Sequence, residues 1–172
     1  MTPRGFEMVQ RSADRPTLQG RSALVTGGGS GIGLAAAAAL VADGADVTLM
    51  GRTADKLEAA AEQLRQQAPE GVRVRTSAGD VTADADVAAA VALADADQTL
   101  RIVVASAGDG TMGPVVATST EEWNRILGVT LTGVFLVFRE AGAAIVRNGG
   151  GSMVAVSSVA SRLTHRFMAP YS

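Results

Sequence analysis

The chain has 172 residues, a net charge of −2 with acidic and basic residues interspersed, no cysteine and a single histidine, His165. This excludes disulfides, thiolate metal sites and cysteine nucleophiles, argues against a histidine-built metal centre, and offers no charged surface for nucleic acid or a membrane. With 47% apolar but only 3% aromatic residues, a single domain of this size buries roughly 70% of its unfolded surface in a core of Ala, Val, Leu and Ile.

Residues 1–19 carry Arg4, Arg11 and Arg15 and no apolar h-region, so they read as a flexible polar extension and not as a secretory signal. No apolar run reaches the ~18 residues of a membrane span, and the cytoplasm is the default compartment. The remainder, 20–172, reads as one domain. Residues 22–26 are a strand. They run into Thr26-Gly27-Gly28-Gly29-Ser30-Gly31-Ile32-Gly33, a glycine-rich turn that opens an alanine-rich helix over 31–43, stopped at Gly44. Such a turn lets a ligand reach the backbone, and the free N–H groups and positive dipole end of the helix point at it. An anionic diphosphate is the natural occupant, so the chain is expected to bind a dinucleotide.

Strand 46–50 follows, then a helix over 53–68 striped by Leu57, Ala61, Leu64 and Ala68 and ended by Pro69. Next come strand 72–77, a helix over 84–96 striped by Val87, Val91 and Ala94, and strand 100–105. A long helix over 119–147 opens with the capping-box pattern Ser119-x-x-Glu122, and strand 152–157 closes the series. Alternating strands and helices of these lengths specify a parallel sheet covered on both faces, a doubly wound Rossmann fold in three α/β/α layers. In the long helix Trp123, Ile126, Leu127, Leu131, Val134, Phe135 and Phe138 form one apolar stripe, while Val129, Leu136 and Val137 lie elsewhere. We expect it to be covered on two sides, by the sheet and by another helix or subunit, with Trp123 packed in the core. The scattered Asp84, Asp86, Asp95 and Asp97 are spread around a helix and do not make a metal site. His165 is read as a solvated loop residue.

Taken with the glycine turn, the far end of the chain resembles the short-chain dehydrogenase/reductase family from about Leu18 to Ser172. The family's Thr-Gly-x-x-x-Gly-x-Gly pattern is met at Thr26, Gly27, Gly31 and Gly33. Asp80-Val81 is similar to the pair that the family sets against adenine, and Ala107-Gly108 to the end of its Asn-Asn-Ala-Gly motif. Residues 123–135 resemble its active-site helix, and Ser158 precedes Tyr171 by the family's thirteen residues. The resemblance implies hydride transfer between a nicotinamide and a carbonyl or alcohol carbon, with Tyr171 as acid/base and Ser158 holding the oxygen. It implies a cofactor site built from Thr26, Gly27, Gly29, Ser30, Gly31, Ile32, Gly33, Arg52, Asp80, Val81, Ala107 and Gly108.

The sequence departs from the family at three places. Thr130, carried as a catalytic candidate with Ser158 and Tyr171, stands where the family has a catalytic asparagine, Ala105-Ser106 stand for two further asparagines, and the sequence ends before the lysine of Tyr-x-x-x-Lys. We therefore expect a domain incomplete at its C-terminus, missing the family's last strands, with 152–157 as an apolar unpaired edge. Counting about 20 residues on from Gly31 reaches Gly51-Arg52, where an acid would select NAD and an arginine suits the 2′-phosphate of NADP. NADP is favoured, with NAD still open. The expected partners are a small carbonyl or alcohol substrate and, through the helix over 119–147, a second copy in a homodimer or homotetramer. Two alternatives stay open, a nucleotide-binding module without turnover and an inactive, self-associating fragment.

Overall fold

The computed structural model describes residues 18–163 and 165–172, so the expected N-terminal extension lies outside the described residues except for Leu18 and Gln19. β1 (Ser22–Thr26) is buried along its whole length because it is the central strand of five. The others are β2 (Asp46–Gly51), β3 (Val74–Ala78), β4 (Leu100–Ala105) and β5 (Ser152–Ala155), in the order β3-β2-β1-β4-β5. All four ladders are parallel. A strand covered on both faces reads as an unbroken apolar run, and the side-chain alternation divides it between two cores. Leu24, Met50 and Val103 join a cluster under α3 (Asp84–Ala94) and α5 (Gly133–Arg147). Ala23, Val25, Val47 and Leu49 join another under α1 (Gly31–Ala42) and α2 (Ala54–Arg65). This is the expected doubly wound α/β sheet.

Sequence and structure part company at several ends and in one helix. β3 begins two residues later than expected and β5 stops at Ala155, although Val156 N–H still donates to Ala105 O. α2 ends at Arg65, whose guanidinium turns back and donates twice to Val74 O, at 3.0 and 2.9 Å, clamping the edge strand β3. Of the capping box at Ser119, only half forms. Ser119 Oγ accepts from Glu122 N–H at 3.1 Å, but the Glu122 carboxylate accepts instead from the Thr111 hydroxyl and ties down the loop after β4.

The long helix departs furthest. α4 (Thr120–Leu127) passes through a π turn at Gly128–Thr132 before continuing as α5, and the Gly133 N–H donates to Gly128 O. The wider turn rotates the rest of the helix relative to a regular 3.6-residue count. The buried face is thus Ile126, Val129, Gly133, Leu136, Val137, Ala141, Ala144 and Ile145. Three of the seven residues of the expected stripe face out: Leu131 is 64% and Phe135 58% exposed, and Trp123, expected in the core, is 41% exposed, while Ile126 is buried and Leu127, Val134 and Phe138 are half-buried. Only the sheet side is covered among the described residues. By length and composition alone, Thr120–Arg147 is apolar enough to cross a bilayer, which a search for unbroken apolar runs overlooks. Its buried face packs on β4 and α3.

β5 forms the edge of the sheet and is exposed along its length, as expected of an apolar strand lacking a neighbour. The four aspartates are each engaged in structural contacts. Asp84 pairs with Arg139, Asp97 with Arg73, Asp86 accepts from Asp80 N–H, and Asp95 from Asn148. Among the described residues no three metal-ligating side chains gather.

The tightest joint in the fold is between α1 and the glycine turn. A Cβ on Gly33 would lie 2.4 Å from Gly27 O, a backbone atom with nowhere to go. Gly33→Ala should therefore lower the urea-unfolding free energy by about 3 kcal/mol, the upper range for overpacking, as a shift in midpoint at constant m-value.

Candidate active site

The strand order reverses direction between β1 and β4, and in an open α/β sheet the crevice beyond the carboxyl ends at that point is the natural ligand site. A crevice of about 960 Å³ opens there. Its wall is built first by the backbone. Gly27 turns with φ +65°, and a Cβ on it would lie 2.9 Å from Ala107 N and Ser106 O. Thr26 Oγ1 accepts from both Ser106 and Ala107 N–H at 3.2 Å. The glycine turn and the end of β4 are therefore one packed unit, with no room for side chains where a ligand's phosphates would approach.

Of the residues the sequence nominates, Gly27, Gly29, Ser30, Ile32, Arg52, Asp80, Val81, Ala107, Gly108, Thr130, Ser158 and Tyr171 all line this one crevice. Thr26, Gly31 and Gly33 do not. They stand behind the wall and shape it, Thr26 through the two hydrogen bonds above, Gly33 through its contact with Gly27, and Gly31 as the first residue of α1. The cradle fits a dinucleotide: free amides at a helix start, glycines that exclude Cβ atoms, and room beyond them.

Asp80 follows β3 and is locked in place. Its Oδ1 accepts from Thr82 N–H at 2.9 Å and from the Thr82 hydroxyl at 2.8 Å. The Thr82 amide, with help from its hydroxyl and the nearby Arg52 charge, outweighs burial and holds the Asp80 carboxyl below the usual aspartate range. Val81 is buried under Gly133, where a Cβ would come within 2.7 Å of Val81 Cγ2. The π turn thus brings the long helix hard against the segment after β3.

The two hydroxyls expected to act on substrate are prepared differently. Ser158 Oγ accepts from Ala160 N–H at 3.2 Å, which leaves its proton free to donate into the crevice. Thr130 Oγ1 instead donates to Ile126 O at 2.6 Å. Its proton is committed to the helix, and toward the crevice it can only accept, so it cannot reproduce the donating NH₂ of an asparagine. Tyr171 lies half-buried in a helical turn in which Met168 O accepts from the N–H groups of Tyr171 and Ser172, both at 3.0 Å. His165 is exposed and does not line the crevice. Thr53 and Lys56, which no motif in the sequence nominates, also line the crevice with Arg52. The signal available for them is their place at the cap and in the first turn of the helix after β2.

Comparison with known proteins shows the family to which the chain belongs. A family model, short chain dehydrogenase, matches residues 21–172. Galactitol 2-dehydrogenase (L-tagatose-forming) of Cereibacter sphaeroides is 36% identical over 149 residues, covering 87% of this chain and 57% of the relative. Gluconate 5-dehydrogenase of Gluconobacter oxydans is 33% identical over 156 residues, covering 90% and 60%. Among solved structures, a short-chain type dehydrogenase/reductase from Mycobacterium ulcerans superposes with a TM-score of 0.86 at 39% identity, covering 90% of this chain and 57% of that one. L-sorbose reductase from Gluconobacter frateurii, complexed with NADPH and L-sorbose, gives 0.84 at 27% identity over 91% and 59%. The chain belongs to the short-chain dehydrogenase/reductase family, whose relatives here are named as oxidoreductases, and it spans less than two thirds of their length.

The state of Asp80 predicts a pH dependence. A carboxyl whose folded pKa is depressed contributes stability that is whole above its unfolded value and lost as pH falls through the folded one. The stability gap between wild type and Asp80→Asn in urea should thus hold at neutral pH and close as pH is taken below about 3.9. An unchanged gap in acid would show that the carboxylate's charge contributes nothing.

Proposed function

We propose that the protein is an NADP-linked oxidoreductase that interconverts a small alcohol and its carbonyl compound, with Tyr171 as acid/base and Ser158 holding the reacting oxygen. The observation that carries this is the convergence of the glycine turn, Arg52, Ser158 and Tyr171 on one crevice. The amides around 27–33 would hold the pyrophosphate, Asp80 and Val81 would flank the adenine, and Arg52 would take the 2′-phosphate. When bound, the nicotinamide supplies or takes up the hydride. As charge grows on the substrate oxygen, the Tyr171 hydroxyl donates its proton there, and the free Ser158 O–H donates a hydrogen bond to the same atom. Thr130 acts on neither; it orders the π turn behind them.

An arginine in the position at the end of β2 where an acid would select NAD supports NADP, as does the NADPH held by the L-sorbose reductase neighbour. The galactitol, gluconate and sorbose named for the relatives support a small polyhydroxylated substrate. The exposed Leu131 and Phe135 support self-association through α4 and α5 into a dimer or tetramer. Reliance on a dissolved pyridine-nucleotide pool suits the cytoplasm.

Nicotinamide fluorescence titration tests the cofactor site. Arg52→Ala should raise the Kd for NADPH about tenfold and that for NADH less than about twofold, as removal of one charge-assisted contact to the extra phosphate requires. Equal losses would count against the assignment. Tyr171→Phe should retain NADPH binding while turnover falls by roughly 10²–10⁴, measured as the rate of absorbance change at saturating cofactor.

A further inference from the structure

Arg52 does not bring a whole unused charge to a phosphate. Its positive field already acts on Asp80 and on Asp109, helping to hold both carboxyls down. A phosphate monoester carries nearly two negative charges at pH 7 (second pKa ≈ 6). Bound beside Arg52 alone, it would share that cation with a neighbouring carboxylate, and the like charges would repel.

Lys56 is placed to correct this imbalance. It stands in the first turn of α2, one turn on from Arg52, and lines the same crevice. Its stem runs along the glycine turn, with Cγ 3.4 Å from where a Gly29 Cβ would be. Its ammonium is exposed and has neither a hydrogen bond nor an ion pair among the described residues. Ser30 and Thr53, the residues that precede α1 and α2, belong to the same crevice lining as the two cations. Neither side chain caps its own helix. Two such hydroxyls, left uncommitted in one crevice with two basic side chains, make a donor set suited to a tetrahedral dianion.

We propose that Lys56 is a second determinant of coenzyme choice: its ammonium, together with Arg52 and the hydroxyls of Ser30 and Thr53 that line the same crevice, holds the 2′-phosphate of the adenosine ribose. This rests on the NADP reading given above.

Calorimetric titration with two adenosine fragments tests this apart from catalysis, using adenosine 2′,5′-bisphosphate and 5′-AMP, which differ only in the phosphate at issue. Lys56→Met keeps the stem against Gly29 and removes the charge. It should weaken the bisphosphate about five- to tenfold, as loss of one exposed charge-assisted contact implies, and leave 5′-AMP within about twofold. Lys56→Arg should restore most of the loss, and the thermal midpoints of both variants should match wild type. If Lys56→Met leaves the bisphosphate unchanged while Arg52→Ala weakens it, Lys56 has no part in the site and the NADP reading stands. If Lys56→Met weakens both fragments alike, its effect is on the shared 5′-phosphate and the inference is wrong. If wild type binds both fragments equally, the 2′-phosphate subsite itself is absent and the NADP reading falls with it.

Discussion

The contact between α1 and the turn that precedes it governs this structure. Gly33 allows the helix to press its first turn onto Gly27 O, and Gly27 in turn lets the end of β4 close in at Ser106 and Ala107. Thr26 fastens that junction with one hydroxyl accepting from two amides. Two segments distant in sequence, 26–33 and 105–107, become one wall built largely of backbone. Everything that follows is arranged around the crevice this wall bounds: the basic pair at the end of β2, the segment after β3, and the two hydroxyl-bearing residues beyond β5.

The long helix of α4, π turn and α5 shows how a local irregularity reorganises a surface. Its π turn sets Gly133 against Val81 and turns Ile126, Leu136 and Ile145 toward the sheet, while Leu131 and Phe135 turn outward. The hydrogen bond from Thr130 to Ile126 O lies inside the same irregular stretch. A hydroxyl at this position therefore does a different job from a carboxamide. It stabilises the backbone's departure from regular geometry, and its oxygen alone faces the crevice. Ser158, with its oxygen accepting from Ala160 and its proton free, has the complementary polarity. Which of two chemically similar side chains can donate is decided by the backbone group each one meets.

The exposed strand β5 and the outer face of α4 and α5 raise a common physical issue. Parallel strands are ordinarily covered on both faces, and an apolar edge invites pairing. Leu131, Phe135 and Val154 are all large and exposed, so the sheet half around β1 and β2 is finished as a core while the β5 side presents apolar surface.

Much of this was legible in the sequence because it depends on local pattern. The five strands, three of the helices and their buried stripes follow from periodicity, and the glycine turn announces the crevice because backbone that must approach a ligand can carry no Cβ. The spacing of Ser158 and Tyr171 and the lone Arg52 also stand in the one-dimensional text. Tertiary structure alone decided the rest. Whether Leu131 or Leu136 is buried depends on a π turn, a hydrogen-bond shift that composition does not signal. That Thr26 shapes the wall without lining it depends on β4 arriving beside β1. That Arg52 acts on Asp80 while Lys56 lines the same crevice depends on the ends of β2 and β3 and the first turn of α2 meeting across space. Sequence records which groups are available; only the packing of distant segments determines which of them are already engaged.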